Sequence, residues 1–500
     1  MRSSRVPQAL TCGLVALLVA GCTGDPETPE PPAEQETAPI PTEFEGAPPP
    51  GIEGEVLRHL HGDDAGVHEI LDDPMGVRIS PVGGAFLISS GGEDRHLLHD
   101  AATGDLLWEG EARFRGFDVD AEGDPVLALS DTDERPFVLD ARGQTLWEPA
   151  EDDDQYLDGL VVRRPSEWSA EEPDGDYTVL DVDGEELWTY TLAPEPDEDT
   201  EESEESEESE GEDTEETEEA EEEPVDPLGV PVSAWDDTIL LEDADSGLHA
   251  YSVDPEEAGE HLWSLDAEHE DLGLSNAPLS VPEVLGLYEI PDPEARETED
   301  EETDGEDVDE EAPEEEPTKD VMLVRWAQPE APSTLSAHDV DDGDVLWSLR
   351  EPGANPVSAR FEEAGTPGGL YDSDTATLLL SQASGGAPTV AVDLVEGEIR
   401  WGLEEEAGAI SPAFAHAGFV YGDTRSNEDG DSQLVLEAES MDVVADDLDA
   451  YVESVTDTGH AVLVQGRQRF VYGPGPEADS DVDGETDTPE DTDASEDDAS

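Results

Sequence analysis

Three observations predict an all-β fold, an eight-bladed β-propeller of four-stranded antiparallel blades. One phrase recurs along the chain at a period of about 40 residues. Short strands bounded by Gly/Asp turns fill the intervals between its copies. The last interval is one strand short, and a matching strand is left over near the start of the globular part.

The phrase is clearest at Asp100-Ala101-Ala102-Thr103-Gly104-Asp105-Leu106-Leu107-Trp108. It returns as Asp140…Gly143…Trp147, Asp181…Gly184…Trp188, Asp254…Gly259…Trp263, Asp339…Gly343…Trp347 and Asp393…Gly397…Trp401, six copies once acidic insertions are set aside. Between copies the pattern is strand, turn, strand, turn. Phe114–Asp120, a Glu-Gly-Asp turn, Pro125–Ser130, Pro136–Asp140 and Thr145–Trp147 make one antiparallel blade. The same reading places blades at about 76–110, 113–149, 156–192, 229–266, 272–350 and 355–404, and a seventh without Trp at about 408–448. Three strands remain, at 451–455, 461–464 and 469–472. Gly54–Leu60 resembles Gly104–Leu107 and supplies the fourth strand of an eighth blade, so that closure removes free sheet edges. A seven-bladed ring is the alternative.

Trp108, Trp147, Trp188, Trp263, Trp347 and Trp401 hold equivalent positions, which argues for architecture: each buries a large apolar area between blades while its indole N–H meets a carbonyl. Trp168, Trp235 and Trp326 fall outside the repeat position, as packing residues or as the lining of a face.

The N-terminal residues 1–21 read as an export signal. Arg2 and Arg5 precede an apolar run from Ala9 to Ala20, too short to span a bilayer. Val19-Ala20-Gly21-Cys22 resembles a bacterial lipobox, which implies Cys22 as a lipidated mature N-terminus; the alternative is an ordinary secretory signal. The expected location is extracytoplasmic, lipid-anchored to the bacterial cell membrane. Thr23 follows, so no Asp at that position suggests inner-membrane retention. The other cysteine, Cys12, lies within the signal, so the mature body has no disulfide, thiolate metal site or cysteine nucleophile. Residues 22–53 are rich in Pro, Glu and Thr and read as a disordered tether.

The formal net charge is -116, from 136 acidic and 20 basic residues. Much of it sits in insertions at 195–224 and 292–317 and in the tail at 474–500, which read as disordered. The charge disfavours nucleic acid and anionic lipid headgroups as partners and suits a salt-rich surroundings. In the tail, Asp479, Asp481, Asp483 and Glu490 match the spacing of a calcium loop, but no amphipathic helices flank them, and an Asp-rich tail produces such matches by chance. Asp118–Asp124 looks similar and reads better as a blade turn. The eleven His are scattered; His59/His61 and His96/His99 read as surface polar residues.

The repeat around His99–Trp108 resembles the docking motif of the quinoprotein-like propellers, known as PQQ-like repeats. That resemblance extends, with decay, over 54–473. It implies the propeller fold and a binding-scaffold role. One family layout is a lipoprotein with an eight-bladed propeller serving outer-membrane protein assembly. The resemblance also implies, in the family's enzymes, a quinone cofactor with calcium and a catalytic acid in the central channel. Here the frequent vicinal disulfide is impossible, and Arg163, Arg164, Arg325, Arg360 and Arg400 are the main candidates to hold an anionic quinone. No G-x-S-x-G elbow, phosphate loop or H-E-x-x-H occurs. The reading is a monomeric, non-catalytic envelope scaffold with a protein partner, no cofactor and no catalytic residue. Its rivals are a quinoprotein-like enzyme or small-ligand sensor using the channel, and a cation or cell-wall device built on the acidic loops.

Overall fold

A computed structural model describes residues 43–61, 69–73, 76–166, 168–170, 172–194, 227–275, 277–292, 317–328, 332–350, 370–381, 389–402, 410–424 and 433–475. These form eight four-stranded antiparallel sheets, each a blade. Blades 1 to 7 are continuous in sequence, at 77–110, 113–147, 154–192, 230–265, 281–350, 371–402 and 410–445. Blade 8 joins Tyr451–Val455, Ala461–Gln465 and Gln468–Gly473 to Glu55–His59, which pairs antiparallel with Gln468–Gly473 as the fourth strand. The seven-bladed alternative is thereby excluded.

The first strands of neighbouring blades approach one another, as between blades 8 and 1, 3 and 4, and 6 and 7, so the first strand of each blade faces the axis. Eight apolar clusters hold the ring, one per seam between successive blades. The cluster of Val82, Leu98 and Leu127 joins blades 1 and 2, and that of Val462, Val471, Ile79 and Phe86 joins blade 8 back to blade 1. Burial of both faces of a sheet explains the runs without polar alternation, such as Ala85–Ser90, buried at every position.

Strand order gives the ring two faces. The turns between first and second strands and between third and fourth strands open on one face, here the upper. The turns between second and third strands and the crossings between blades open on the lower. The chain leaves blade 3 at Leu192 and enters blade 4 at Val230 on the lower face, while Pro291 and Thr318 bracket the first hairpin of blade 5 on the upper.

The turns explain part of the acidity. Asp140 Oδ1 accepts the amides of Arg142 and Gln144 at 3.0 and 2.7 Å, and Asp120, Asp131 and Asp243 do the same in other turns. Asp118–Asp124 is therefore a blade turn.

Residues 43–53, which composition alone assigns to the tether, pack against the ring. Ile52 is buried and Phe44 half-buried in the seam between blades 7 and 8. The rest of the tether, the signal, the acidic insertions apart from their end residues Asp292 and Pro317, and the tail from residue 476 lie outside the described residues, with Cys22, Asp479, Asp481, Asp483, Glu490 and Arg360.

Candidate functional site

All six repeat tryptophans stand on the fourth strand of their blades, each in the same register. A bulge shifts the pairing just before each: Ala337 pairs with Trp347 and His338 with Val345, Ala391 with Trp401 and Val392 with Ile399. The side chain crosses the seam to the third-to-fourth turn of the next blade. Trp263 Nε1 donates to Val340 O at 3.1 Å, Trp347 Nε1 to Leu394 O at 2.8 Å and Trp401 Nε1 to Ala438 O at 2.6 Å. Trp147 lies against Tyr156 and Trp188 against Tyr251 across their seams, with ring centroids 5.7 and 5.1 Å apart. At Gly143, Gly259, Gly343 and Gly397 this contact requires the turn glycine, whereas Gly184 beside Trp147 has open space where a Cβ would stand. Gly397 has φ +67°, and a Cβ there would meet Trp347 Cγ at 2.4 Å.

Two blades break the pattern. In blade 8, Arg58 follows the same bulge and pairs with Val471, taking the tryptophan register. It crosses to the turn of blade 1, donating to Asp100 O at 2.8 Å and Ala102 O at 3.3 Å. Burial pushes its guanidinium pKa down, against the raising effect of Asp100 and Asp105. In blade 7 the register position is Ala445, paired with Val435.

The upper mouth of the channel is rimmed by carboxylates that also tie seams. Asp158, at φ +45° in the first turn of blade 3, accepts Ser233 Oγ at 2.8 Å and the Ala234 amide at 3.1 Å from blade 4. Toward blade 2 it shares a hydrogen bond with Asp118. Burial, then the Asp158 charge, push Asp118 up to about 7. Asp372, buried, accepts the Gly418 amide from blade 7 at 2.9 Å. Asp320 is raised by burial and by Glu289, Asp236 and Asp341; Asp457 is raised by burial, with His416 opposing. Such a mouth attracts cations and repels anions.

Five histidines, His96 and His99 among them, are not surface residues, whereas His59 and His61 are half-buried and His269 is exposed. His96, His99, His249, His338 and His460 are buried. His96 bridges Ser89 Oγ at 2.8 Å and Ala112 O at 3.0 Å. His99 Nδ1 and His338 Nδ1 each lie against the carbonyl of a turn glycine, Gly104 and Gly343, at 3.2 and 3.3 Å. A third-strand His immediately before the turn Asp, in His99-Asp100 and His338-Asp339, is the sequence signal for this brace. His59 stacks on Phe470 at 4.9 Å. Trp326 is fully buried and bonds Ser336 Oγ at 2.9 Å, Trp235 stacks on Trp263, and Trp168 bonds the Tyr177 hydroxyl at 2.8 Å. Among the described residues no group of three or more His, Cys, Asp or Glu is placed to hold a metal ion.

A tricarboxylate quinone needs cations, and the described candidates are committed elsewhere. Arg163 pairs with Asp154 at 2.7 Å and Glu151 at 3.4 Å, Arg325 with Glu283 at 3.6 Å, and Arg400 with Asp393 at 2.8 Å and Glu439 at 3.2 Å. Arg164 lies over the Trp168 ring at 3.9 Å. With carboxylates at the channel mouth, the described residues do not fit that cofactor.

The closed ring, the Trp register and the turn motif make an eight-bladed β-propeller that resembles the PQQ-like repeat proteins. More particularly, the chain resembles BamB: residues 64–212, blades 1 to 3, match the family model described as outer membrane protein assembly factor BamB. Among solved structures, BamB from Moraxella catarrhalis is 12% identical, with 79% of this chain and 96% of that chain covered and a TM-score of 0.35. The computationally designed Ika8 protein is 13% identical, with 84% and 100% covered and a TM-score of 0.34. The quinohemoprotein alcohol dehydrogenase ADHIIG from Pseudomonas putida HK5 is 12% identical, with 79% and 69% covered and a TM-score of 0.35. No curated protein matches the chain in sequence.

Proposed function

We propose that the protein is a lipid-anchored, extracytoplasmic β-propeller that works as a non-catalytic, monomeric protein-binding scaffold in the cell envelope. Cys22 carries the lipid, and the repeat tryptophans are docking residues of the ring rather than ligand contacts. The observation that carries the reading is the closure of the ring at eight packed seams, which holds the turns of both faces in fixed positions, as a docking platform requires. The arginine pairings above support the absence of quinone chemistry, and the anionic upper mouth favours a partner with a neutral or cationic contact surface.

The test is in-cell crosslinking of the full-length lipidated protein, followed by affinity capture and mass spectrometry, beside a variant lacking 195–224 and 292–317. A discrete envelope protein enriched with both forms is the expected result. Enrichment lost only in the variant transfers binding to the acidic loops. Capture of nothing by either form, with quinone-dependent dye reduction by the purified protein, overturns the scaffold. Radiolabelled lipid incorporation abolished by Cys22→Ala checks the anchor.

A further inference from the structure

The seam between blades 7 and 8 lacks both halves of the docking device used elsewhere. Ala445 stands where the other continuous blades place an indole. Blade 8 has no covalent turn between third and fourth strands to receive one, because Gly473 and Glu55 belong to opposite ends of the chain.

Residues 43–53 lie in this seam. They enter at the lower face, where the Glu45 amide donates to Gln465 Oε1 at 2.9 Å and the Ala47 amide to Asp449 Oδ2 at 3.1 Å. Gln465 Nε2 donates back to Glu45 O and also to Asp449 O. Phe44 packs edge-on against Phe470 with centroids 5.7 Å apart, and lies 6.1 Å from the Tyr472 ring. Pro49 is buried, and Tyr421 donates its hydroxyl hydrogen to Pro50 O at 2.5 Å. Ile52 is buried in the seam cluster with Tyr421, Val435, Val452 and Tyr472. Gly51, at φ +81°, sits so close to the Tyr421 hydroxyl that a Cβ would lie 2.5 Å from it. The three prolines restrict the segment before it binds, which lowers the ordering cost.

We propose that the seam between blades 7 and 8 is a peptide-binding groove, occupied in cis by the chain's own residues 43–53, whose Phe44 and Ile52 fill the space left by the missing indole. The segment is a ligand on a leash. It latches the ring at its one undocked seam and couples any pull on the N-terminus to that seam. A groove with aromatic walls and carbonyl-seeking hydroxyls and amides recognises an aromatic residue followed by a proline run and an aliphatic residue.

The test uses the full chain carrying Phe44→Ala and Ile52→Ala, and a fluorescent synthetic peptide of residues 43–53. Hydrogen exchange in the variant should quicken by about tenfold or more in strands Phe419–Thr424 and Tyr451–Val455 and stay unchanged in blades 2 to 4. The peptide should bind the variant saturably, restore that protection, and fail to bind the wild type, whose groove is filled. A peptide with alanine in place of its phenylalanine should not bind. Adding Ala445→Trp to the variant should restore protection and abolish peptide binding. A folded variant with unchanged exchange in both strands, or one that does not bind the peptide, overturns the proposal. If the double variant does not fold, Gly51→Ala alone replaces it: selective loss of protection in the same two strands supports the groove, and unchanged protection there overturns it.

Discussion

Replacing Trp263 with alanine tests the seam architecture most directly. The indole is 6% exposed, stacks beside Trp235 at 6.3 Å and bonds Val340 O at 3.1 Å. A Cβ on Gly343 would stand 2.7 Å from its ring, so the turn of blade 5 rests directly on it. Burying an aromatic of this size removes on the order of 150–250 Å² from water, roughly 4–6 kcal/mol at the usual coefficient, and core Trp→Ala changes cost about 3–5 kcal/mol. The hydrogen bond contributes only about 0.5–1.5 kcal/mol net. Trp263→Ala should therefore cost about 3–5 kcal/mol, and Trp263→Phe, which keeps most of the contact and loses the donor, about 1–2 kcal/mol. Urea unfolding read by circular dichroism measures both, and hydrogen exchange locates the loss in blades 4 and 5. Equal costs for the two variants would mean that the hydrogen bond, not packing, dominates, and a cost below about 1 kcal/mol for alanine would refute the docking argument outright.

Asp118→Asn should stabilise the fold above neutrality. The raised native pKa favours folding at low pH and loses that advantage as pH rises through about 7. The variant's gain over wild type should therefore grow from pH 5 to pH 8, reaching roughly 1–4 kcal/mol in paired unfolding titrations. His338 behaves oppositely: burial pushes it down to about 4, so it stays neutral in the fold and its contribution is lost as pH falls from about 6.5 toward 4. Imidazole resonances followed by NMR should give a midpoint near 4, and one near 6.5 would contradict its burial. Gly397→Ala should cost about 1–3 kcal/mol in thermal or urea unfolding, because it combines a positive φ with a clash against Trp347. Arg58→Ala should speed exchange in Glu55–His59 more than anywhere in blades 2 to 6, since it removes the two carbonyl contacts at Asp100 and Ala102.

The blade count was legible because the turn chemistry repeats at fixed spacing. An Asp that accepts at least one amide of its own turn, a Gly at positive φ and a seam Trp four residues after it are local requirements, and each copy states them again. The fourth strand of blade 8 was legible by subtraction. His96 and His99 misled, because their short spacing says nothing about which side of a strand meets a seam, and both are buried there. The packed segment 43–53 was masked by its proline and glutamate content; Phe44 and Ile52 bracketing Gly46–Gly51 were the signal that composition averaged away. The Asp118–Asp158 pair has no sequence signature, since its members come from different blades and meet only when the ring forms.

The fourth strand of blade 8 imposes an order on biogenesis. Glu55–His59 is synthesised long before its partner strand: His59 and its bonded neighbour Gln468 are 409 positions apart. Until the rest of the ring has been synthesised and folded, that strand has no partner and exposes an unsatisfied backbone edge. Any truncation that removes residues after 450 would leave the early strand permanently unpaired, a chain with seven formed sheets and one adhesive end. Proofreading of the finished molecule is thus built into its topology, because only a chain translated to its last blade can hide its first strand.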